Sequence, residues 1–537
     1  MQLISLLGLV VLLAIAWALS IHRRDVKIRT VVWGLGLQFL FAVIILRQDY
    51  WSYLGMGVFG VLLVTFLLRD ESNAPAWGRS TVVLLAGAAI GAGLAKTLPK
   101  ALPWLLLAVV VALIVNGRFR RNPQGQAYLA SFFVIGGIAF LVANEYHGQA
   151  IFNSLSDRVA AFLNLSDYGA RFMFGNLANA EHFGPTSTWP GFGIQFAFKV
   201  LPTIIFFGGF MAVLYYLGIV QKVIEGMSRF MRWTIGTSGA ETLSCSANIF
   251  VGQTEAPLLI KPFLDRMTKS ELLTIMVGGF ATIAGGVLAG YIAFGVPAGH
   301  LIAASVMSAP AALVIGKILY PEKEHSETAG DVKLPEIESG DNAIEAASNG
   351  ITDGLKLAVN VAAMLVGFIA LIAVIDVILN FGDSLIDGRL LGGDLRTYSS
   401  GGLSPITQEF VGIFPGSLQT LFGTVLRPLA WMMGVPWSDA AAVGNLLGIK
   451  LSLNEFVAYG QLGAYLEEGV LGERAKIIST YALCGFANFS SIGIQIGGIS
   501  AIAPGRKSDL AKVGLRAMIG GAIASWTTAT IAGILYV

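Results

Sequence analysis

Two glutamates lie in the most apolar parts of the chain, at matching places in two similar segments. Glu255 follows the stretch that begins at Asn248, and Glu455 follows Asn454. A carboxylate inside a bilayer is costly unless it has partners, so such a residue is by default a candidate for function. A glutamate that only caps a hairpin turn or pairs with a nearby lysine is the plainer interpretation of one such residue. The occurrence of a glutamate at matching positions in both segments favours a binding site.

Polar side chains follow each glutamate further along the chain. The motif Gly-Phe-Ala precedes Thr282 in the first segment and Asn488 in the second, and Ser491 comes three residues after Asn488, on the same face of a helix. Oxygen atoms of Asn248 and Thr282, with backbone carbonyls freed at a helix break, are hard donors that suit Na⁺. Glu455, Asn488 and Ser491 suit a ligand rich in hydroxyl groups.

The elements that must position these residues form a weak internal repeat. Residues 236–266 and 436–470 are apolar but broken by Gly, Asn, Pro and Glu, and each precedes a glycine-interrupted apolar helix. Inverted repeats with broken helices indicate a transport site near the bilayer midplane, because broken backbone in lipid must line a cavity or bind an ion. We therefore predict two re-entrant helical hairpins of opposite orientation. Two short amphipathic surface segments are the alternative.

The composition is that of a membrane protein. Of the 537 residues, 55% are hydrophobic and 13% are charged, with a mean hydropathy of +0.71. Soluble domains carry about 25% charged residues. Lipid as the solvent lets buried and outward-facing positions both be apolar. We expect an all-α polytopic membrane protein.

Several other classes of protein are disfavoured. The net charge of +2 gives no reason to expect a nucleic-acid partner, and Cys245 and Cys484 lie in apolar stretches, so neither a disulfide framework nor a metal site is indicated. No HExxH, GxSxG or Cys/His ligand pattern suggests a membrane-embedded enzyme. Paired hairpins with one glutamate each favour an occluded site over a channel.

About twelve stretches approach the ~20 apolar residues needed to cross a bilayer. They lie at about 3–20, 30–47, 52–69, 79–97, 102–116, 127–144, 197–218, 271–293, 299–319, 351–378, 475–500 and 513–535. With these crossings, all five basic clusters fall on one side, which the positive-inside rule makes the inner face, with both termini outside. These clusters lie at 23–29, 118–121, 222–232, 261–269 and 506–507. The first stretch has no basic residues before it, so we interpret it as a retained helix rather than a signal peptide.

The crossings and hairpins divide the chain into five parts. We assign residues 1–97 to extra N-terminal transmembrane helices, 98–235 to scaffold helices and an interfacial helix, 236–320 to the first hairpin and broken helix, 321–350 to a polar linker, and 351–537 to the C-terminal core with the second hairpin (436–470) and broken helix (475–500).

At these motifs the sequence resembles the concentrative nucleoside transporters. The resemblance covers roughly residues 100–537, and several long motifs carry it: SANIFVGQTEAPLLIKPF from Ser246, GFATIAGGVLAGY from Gly279, AAMLVGFIALIA from Ala362, RPLAWMMGVPW from Arg427, NEFVAY from Asn454 and CGFANFSSIGIQIGG from Cys484. Minimal members of that family have about eight crossings, so residues 1–97 add about four. We expect these extra helices to be peripheral and to make no contact with substrate.

The resemblance implies an ion-coupled nucleoside symporter of the cell membrane, without an enzymatic cofactor, that forms a homotrimer. It implies a scaffold and a mobile transport domain that moves like an elevator. Gln253, Thr254 and Glu255 would bind the nucleobase. Glu455, Asn488 and Ser491 would bind the ribose, with Phe486 and Val287 beside the substrate. Na⁺ would be held by Asn248, Thr282 and the backbone near Ile283 and Val287. The presence of Asn248 favours Na⁺ over the alternative, coupling to protons, and purine or pyrimidine preference stays open.

Overall fold

The computed structural model describes residues 1–69, 77–97, 123–178, 196–328, 340–397 and 404–536. The predicted crossing at 102–116 and the basic cluster at 118–121 lie outside these residues. The described chain is almost entirely helical, as expected. Its residues cluster into two compact units, one made of Met1–Gln38 with Ser156–Val537 and the other of Phe39–Leu155.

Most of the predicted crossings are present as helices. The N-terminal ones are α1 (Gln2–Ala18), α2 (Ile28–Leu46), α3 (Tyr50–Leu67), α4 (Trp77–Thr97) and α5 (Pro123–Ala143), followed by α6 (Gly148–Leu163), α7 (Ser166–Phe174), α8 (Phe196–Tyr216) and α9 (Ile219–Ile235). Where one interfacial helix was expected within residues 98–235, the chain forms two short helices, α6 and α7. Seven helices in the described part of the chain are long and apolar enough to cross a bilayer.

The first predicted hairpin is present. Its arms are α10 (Gly239–Ala247) and a 3₁₀ segment (Ala256–Arg266), and a helix broken after Ala281 follows it as α11 (Lys269–Ala281) and α12 (Gly285–Ala293). Pro262 explains why the second arm is not an α-helix, because it removes a backbone N–H donor from the middle of the segment.

The second hairpin is also helical, and its arms are α17 (Ala440–Ser452) and α18 (Glu455–Glu467). Before it come α13 (Ala298–Leu319), α14 (Ala343–Asp383), strands β1 (Leu395–Thr397) and β2 (Gln408–Phe410), α15 (Leu418–Val425) and α16 (Arg427–Met432). After it come the broken pair α19 (Glu473–Leu483) and α20 (Phe489–Ile502), and α21 (Lys507–Leu535).

The two broken helices touch where each is interrupted. Gly485 has a φ of +104°, and a Cβ atom there would lie 2.4 Å from the carbonyl oxygen of Phe280. Only glycine tolerates both the left-handed backbone and this close approach. The Gly-Phe-Ala motif of the second segment therefore places the two breaks against each other.

The long helix α14 begins eight residues before the expected crossing at 351, inside the predicted polar linker. Asn342 explains the difference, because its Oδ1 accepts hydrogen bonds from the backbone N–H groups of Ile344 and Glu345, each at 3.0 Å. This cap starts a helix whose first turns are polar and exposed. The linker prediction is wrong from residue 343 onward, because hydropathy marks the apolar part of a helix and not its beginning.

The segment between α14 and α15 is partly ordered by two aspartates of α14. Asp376 accepts a hydrogen bond from the N–H of Leu418, and Asp383 one from Phe410 in β2, both at 2.7 Å. The loop therefore carries a short antiparallel pair, β1 and β2, which glycine content alone did not suggest.

Polar contacts join four of the predicted basic clusters in two pairs: 506–507 with 261–269, and 23–29 with 222–232. Arg506 donates to the carbonyl oxygens of Leu264 (3.1 Å) and Met267 (2.6 Å), and Arg29 donates to that of Trp233 at 3.0 Å. The contacts agree with clusters that share one membrane face, and the assignment of that face to the inside stays a prediction.

Helix α1 is part of the larger unit and packs closely on α16. The sequence analysis had assigned it, with the rest of residues 1–97, to added helices. Ser5 donates to the carbonyl of Met433 at 3.2 Å, and a Cβ atom at Gly8 would lie 2.0 Å from the carbonyl oxygen of Met432. The division at residue 97 came from counting crossings, whereas the compact units divide at Gln38 and Ser156.

We expect Gly8→Leu to destabilise the protein, because the new side chain must displace α16. Overpacking of this kind costs about 1–3 kcal/mol. The measurement is the melting temperature of the purified protein in detergent. Gly36→Leu is the matched control, since no atom lies within 4 Å of a Cβ at Gly36. Equal melting temperatures for the two variants would contradict this account of α1.

Candidate functional site

A cavity of about 350 Å³ lies among the two hairpins, both helix breaks and α14. It is large enough for a small organic ligand. All eight residues predicted to contact substrate line it, namely Gln253, Thr254, Glu255, Val287, Glu455, Phe486, Asn488 and Ser491. The structure therefore brings together residues that are up to 238 positions apart in the sequence.

Glu455 lies in the first turn of α18 and is 5% exposed. Asn454 starts this helix by accepting a hydrogen bond from the N–H of Val457 at 2.9 Å. The Glu455 carboxylate accepts hydrogen bonds from the Tyr291 hydroxyl (3.2 Å) and from Nδ2 of Asn488 (3.4 Å). The positive end of the helix dipole also favours a carboxylate here. These groups hold an acceptor at the cavity wall and place it for a ligand with hydroxyl groups.

Asn488 and Ser491 are related by helix capping. Oδ1 of Asn488 accepts from the N–H of Ser491 at 2.9 Å and from the Ser490 hydroxyl at 2.7 Å, so Asn488 is the N-cap of α20. The three-residue spacing noted in the sequence is that of an N-cap and its partner. Oδ1 of Asn488 is thereby occupied, and its Nδ2 faces Glu455.

The first hairpin contributes its turn to the opposite wall. Gln253 is 8% exposed, and its Nε2 donates to the Ser491 hydroxyl at 3.3 Å. Glu255 is exposed, and its carboxylate folds back so that a Cβ atom at Gly252 would lie 2.2 Å from Oε2. A side chain at 252 would therefore displace the carboxylate of Glu255 from this position.

The residues predicted to hold Na⁺ lie between the first hairpin and the break in α11–α12. Asn248 is 1% exposed, and neither its Oδ1 nor its Nδ2 has a hydrogen-bond partner among the described residues. Thr282 is equally buried and donates to the carbonyl of Gly278 at 2.9 Å, and a Cβ at that glycine would lie 3.4 Å from Nδ2 of Asn248. A buried amide without partners needs an explanation, and a bound cation would supply one for Oδ1.

The backbone at the helix break also lies close to the backbone of the first hairpin turn. Ile283 and Val287 are 1% and 4% exposed, and the N–H of Gly285 donates to the carbonyl of Phe250 at 3.2 Å. This bond ties the hairpin turn to the helix break. The predicted donor set is one amide oxygen, one hydroxyl oxygen and backbone carbonyls, which suits a hard monovalent cation better than a transition metal.

Sequence reasoning missed residues that hold the cavity-lining side chains in place. Tyr291 of α12 donates to Glu455, and Gln495 of α20 donates to Gln253 at 3.0 Å. Asn360 of α14 also lines the cavity. Each is a polar residue inside an otherwise apolar helix, and that is the signal that would have singled them out.

Three family models match the chain. They are described as Na+ dependent nucleoside transporter N-terminus (residues 7–74), Nucleoside recognition (197–298) and Na+ dependent nucleoside transporter C-terminus (300–533). The mouse protein named Sodium/nucleoside cotransporter 2 is 44% identical over 420 residues, which are 75% of this chain and 57% of that protein. The chain thus spans about three fifths of the length of such mammalian relatives.

Other relatives match over nearly their whole length. A Haemophilus influenzae protein named Uncharacterized transporter is 41% identical over 80% of this chain and 95% of its own. The solved structure of CNTnw in an inward-facing substrate-bound state is 32% identical, covers 100% of this chain and 99% of its own, and has a TM-score of 0.68. A CNTnw variant in an outward-facing state gives a TM-score of 0.72. The chain belongs to the concentrative nucleoside transporter family, the Na⁺-dependent nucleoside transporters.

Proposed function

We propose that the protein takes up nucleosides by symport with Na⁺, through an elevator-type alternating-access mechanism. The observation that carries the proposal is the single cavity lined by both hairpins and both helix breaks, with buried acceptors and donors on its walls. Relatives named as sodium/nucleoside cotransporters support the substrate and the ion. Relatives solved in inward-facing and outward-facing states support alternating access.

In this proposal the two walls of the cavity divide the substrate between them. The carboxylate of Glu455 accepts hydrogen bonds from the ribose hydroxyl groups, and Asn488 and Ser491 surround it. Gln253, Thr254 and Glu255 meet the polar edge of the base, and Phe486 and Val287 pack against the ligand. A nucleoside is polar and neutral, so the site must replace its hydrogen bonds to water; a buried polar group left without a partner costs about 1–3 kcal/mol.

One Na⁺ per nucleoside is energetically sufficient. A monovalent cation that moves inward through ~100 mV releases about 2.3 kcal/mol. A tenfold Na⁺ gradient adds about 1.4 kcal/mol, and the total of ~3.7 kcal/mol supports roughly 500-fold accumulation.

We expect Asn248→Ala to raise the Na⁺ concentration for half-maximal uptake about tenfold, which is ~1.4 kcal/mol. The substitution removes a buried amide oxygen that has no partner in the part of the chain that the structure describes. Asn445→Ala is the matched control, because Asn445 is a buried asparagine on the first arm of the other hairpin. The same Na⁺ curve for both variants and wild type would argue against the assigned cation site.

The function is tested by uptake of radiolabelled uridine and adenosine into proteoliposomes under an imposed Na⁺ gradient and, separately, a proton gradient. Accumulation driven by Na⁺ alone is the expected result. Accumulation driven only by protons would keep the substrate class and overturn the role of Asn248. No accumulation under either gradient would refute nucleoside symport.

The homotrimer is part of the same proposal. Helix α14 has 41 residues and is about 60 Å long at 1.5 Å per residue, and it exposes Val366 and Ile378 among many apolar side chains. Such a helix offers a long apolar face to neighbouring subunits. Light scattering of the detergent-solubilised protein should give three copies per particle, and a monomer would contradict this part of the proposal.

A further inference from the structure

Gln495 lies behind the cavity wall and contacts two fixed groups. It is 1% exposed in α20, and its Nε2 donates to the carbonyl oxygen of Met276 at 3.1 Å and to Oε1 of Gln253 at 3.0 Å. The helices approach closely here, because a Cβ atom at Gly279 would lie 2.7 Å from Nε2 of Gln495. Gln495 is not among the residues that line the cavity.

These contacts determine which way two amide groups point. A glutamine amide can in principle turn over, since its oxygen and nitrogen have nearly the same shape. The carbonyl of Met276 can only accept, so Gln495 must direct its NH₂ group to it. The same NH₂ group meets Gln253, so the oxygen of Gln253 must face Gln495. The hydrogen bonds therefore form a chain that begins at the backbone of α11.

The orientation of Gln253 determines which hydrogen-bonding group it offers to the cavity. With its oxygen occupied, Gln253 presents only its NH₂ group to the cavity side, where it donates to Ser491 at 3.3 Å. An NH₂ group has two hydrogen atoms, so the second is available to a ligand. The neighbouring carboxylate of Glu255 is an acceptor. The first hairpin thus offers one donor and one acceptor in a fixed order.

We propose that Gln495 is a positioning residue that fixes Gln253 as a hydrogen-bond donor, and that the site thereby selects bases with a carbonyl oxygen where Gln253 reaches. The inference rests on the proposed function and adds the chemical class of base to it. Uridine and inosine carry a carbonyl oxygen on the ring position where cytidine and adenosine carry an amino group. Within the pairs uridine–cytidine and inosine–adenosine, an acceptor is exchanged for a donor at this position with little change of shape. Comparing the two members of a pair therefore tests the proposed selection directly.

The test compares KM and kcat for both pairs in wild type, Gln495→Met and Gln495→Glu. Wild type should have the lower KM for uridine and inosine. Gln495→Met frees Gln253 to turn over, so the KM ratio within each pair should move at least about fivefold towards unity, with kcat changed less than about twofold. Gln495→Glu offers only acceptors to Gln253, so the ratio should fall further or reverse. A defect in folding alone would lower kcat for all four substrates and leave the ratios unchanged.

The matched control is Gln461→Met, because Gln461 is 2% exposed in α18 and outside the cavity lining. Its KM ratios should equal those of wild type. Gln495→Asn is a second variant in case the larger changes prevent folding, since the shorter amide cannot span both acceptors. Unchanged ratios in transporting Gln495 variants, or a wild-type preference for cytidine and adenosine, would overturn the inference while leaving nucleoside transport standing. Absence of uptake by wild type would instead refute the proposed function.

Discussion

Glu455→Gln is expected to lower kcat/KM for nucleoside uptake at least about tenfold, while the protein still folds and inserts. The carboxylate accepts from both Tyr291 and Asn488, and its remaining lone pairs face the cavity. Glutamine replaces one of these oxygens with an NH₂ group, which cannot accept from a donor. Hydrogen bonds to a charged acceptor contribute about 1.5–3 kcal/mol, and 1.4 kcal/mol already corresponds to tenfold.

The effect should separate binding from stability. Glu455 is buried and its two partners are neutral, so removing its charge also removes a cost of burial. We therefore expect the melting temperature of Glu455→Gln to equal or exceed that of wild type. Glu467→Gln is the control on the same helix, because Glu467 is exposed at the end of α18. Normal uptake by Glu455→Gln would remove Glu455 from the ribose site.

The sequence was sufficient to predict the hairpins, the broken helices and the residues around the cavity. Two local signals carried the prediction of the hairpins, the broken helices and the two glutamates: Gly and Pro in apolar segments, and a glutamate at a matching place in each repeat. The resemblance to the transporter family alone implied the remaining cavity residues Gln253, Thr254, Val287 and Phe486. Both signals reflect the free-energy cost of unpaired polar groups in lipid. This cost is high enough that polar residues inside apolar segments can be recognised as candidates in a single sequence. The roles assigned to Asn248, Thr282 and the cavity-lining residues remain predictions.

The partners of these residues could not be predicted from the sequence. Gln253 and Gln495 are 242 positions apart, and Tyr291 and Glu455 are 164 positions apart. Hydropathy and spacing describe one segment at a time, whereas these contacts depend on how segments cross. The close packing of Gly8 on Met432 was missed for the same reason.

Lys450→Met is expected to lower the uptake activity and, in contrast to Glu455→Gln, also the stability. Lys450 is fully buried in α17, and its Nζ donates to the carbonyl oxygens of Ala482 and Cys484, each at 2.9 Å. These carbonyls lie at the end of α19, where the helix break leaves them without N–H partners. An ammonium group satisfies two of them and meets the negative end of the helix dipole.

Methionine has nearly the same length but offers no donor. The buried carbonyl of Ala482 would then lose its side-chain donor, whereas that of Cys484 keeps the hydrogen bond from the Ser525 hydroxyl at 2.6 Å. One unsatisfied carbonyl predicts a loss of about 1–3 kcal/mol. The measurements are the melting temperature in detergent and nucleoside uptake in proteoliposomes. Lys476→Met is the control, because Lys476 is partly exposed on the neighbouring helix α19. A wild-type melting temperature for Lys450→Met would show that the carbonyls of the break do not need this lysine.

The double variant Lys450→Met with Glu455→Gln distinguishes a local role of Lys450 from an electrostatic one. If Lys450 stabilises only the carbonyls of α19, the changes in melting temperature should add, as they do for independent sites. If its charge also compensates that of Glu455, Lys450→Met leaves a buried carboxylate without its counter-charge, and neutralising Glu455 should restore part of the lost stability. We expect the first result, because Lys450 donates to the carbonyls of Ala482 and Cys484 whereas Glu455 accepts from Tyr291 and Asn488, so the two groups share no hydrogen-bond partner in the described structure.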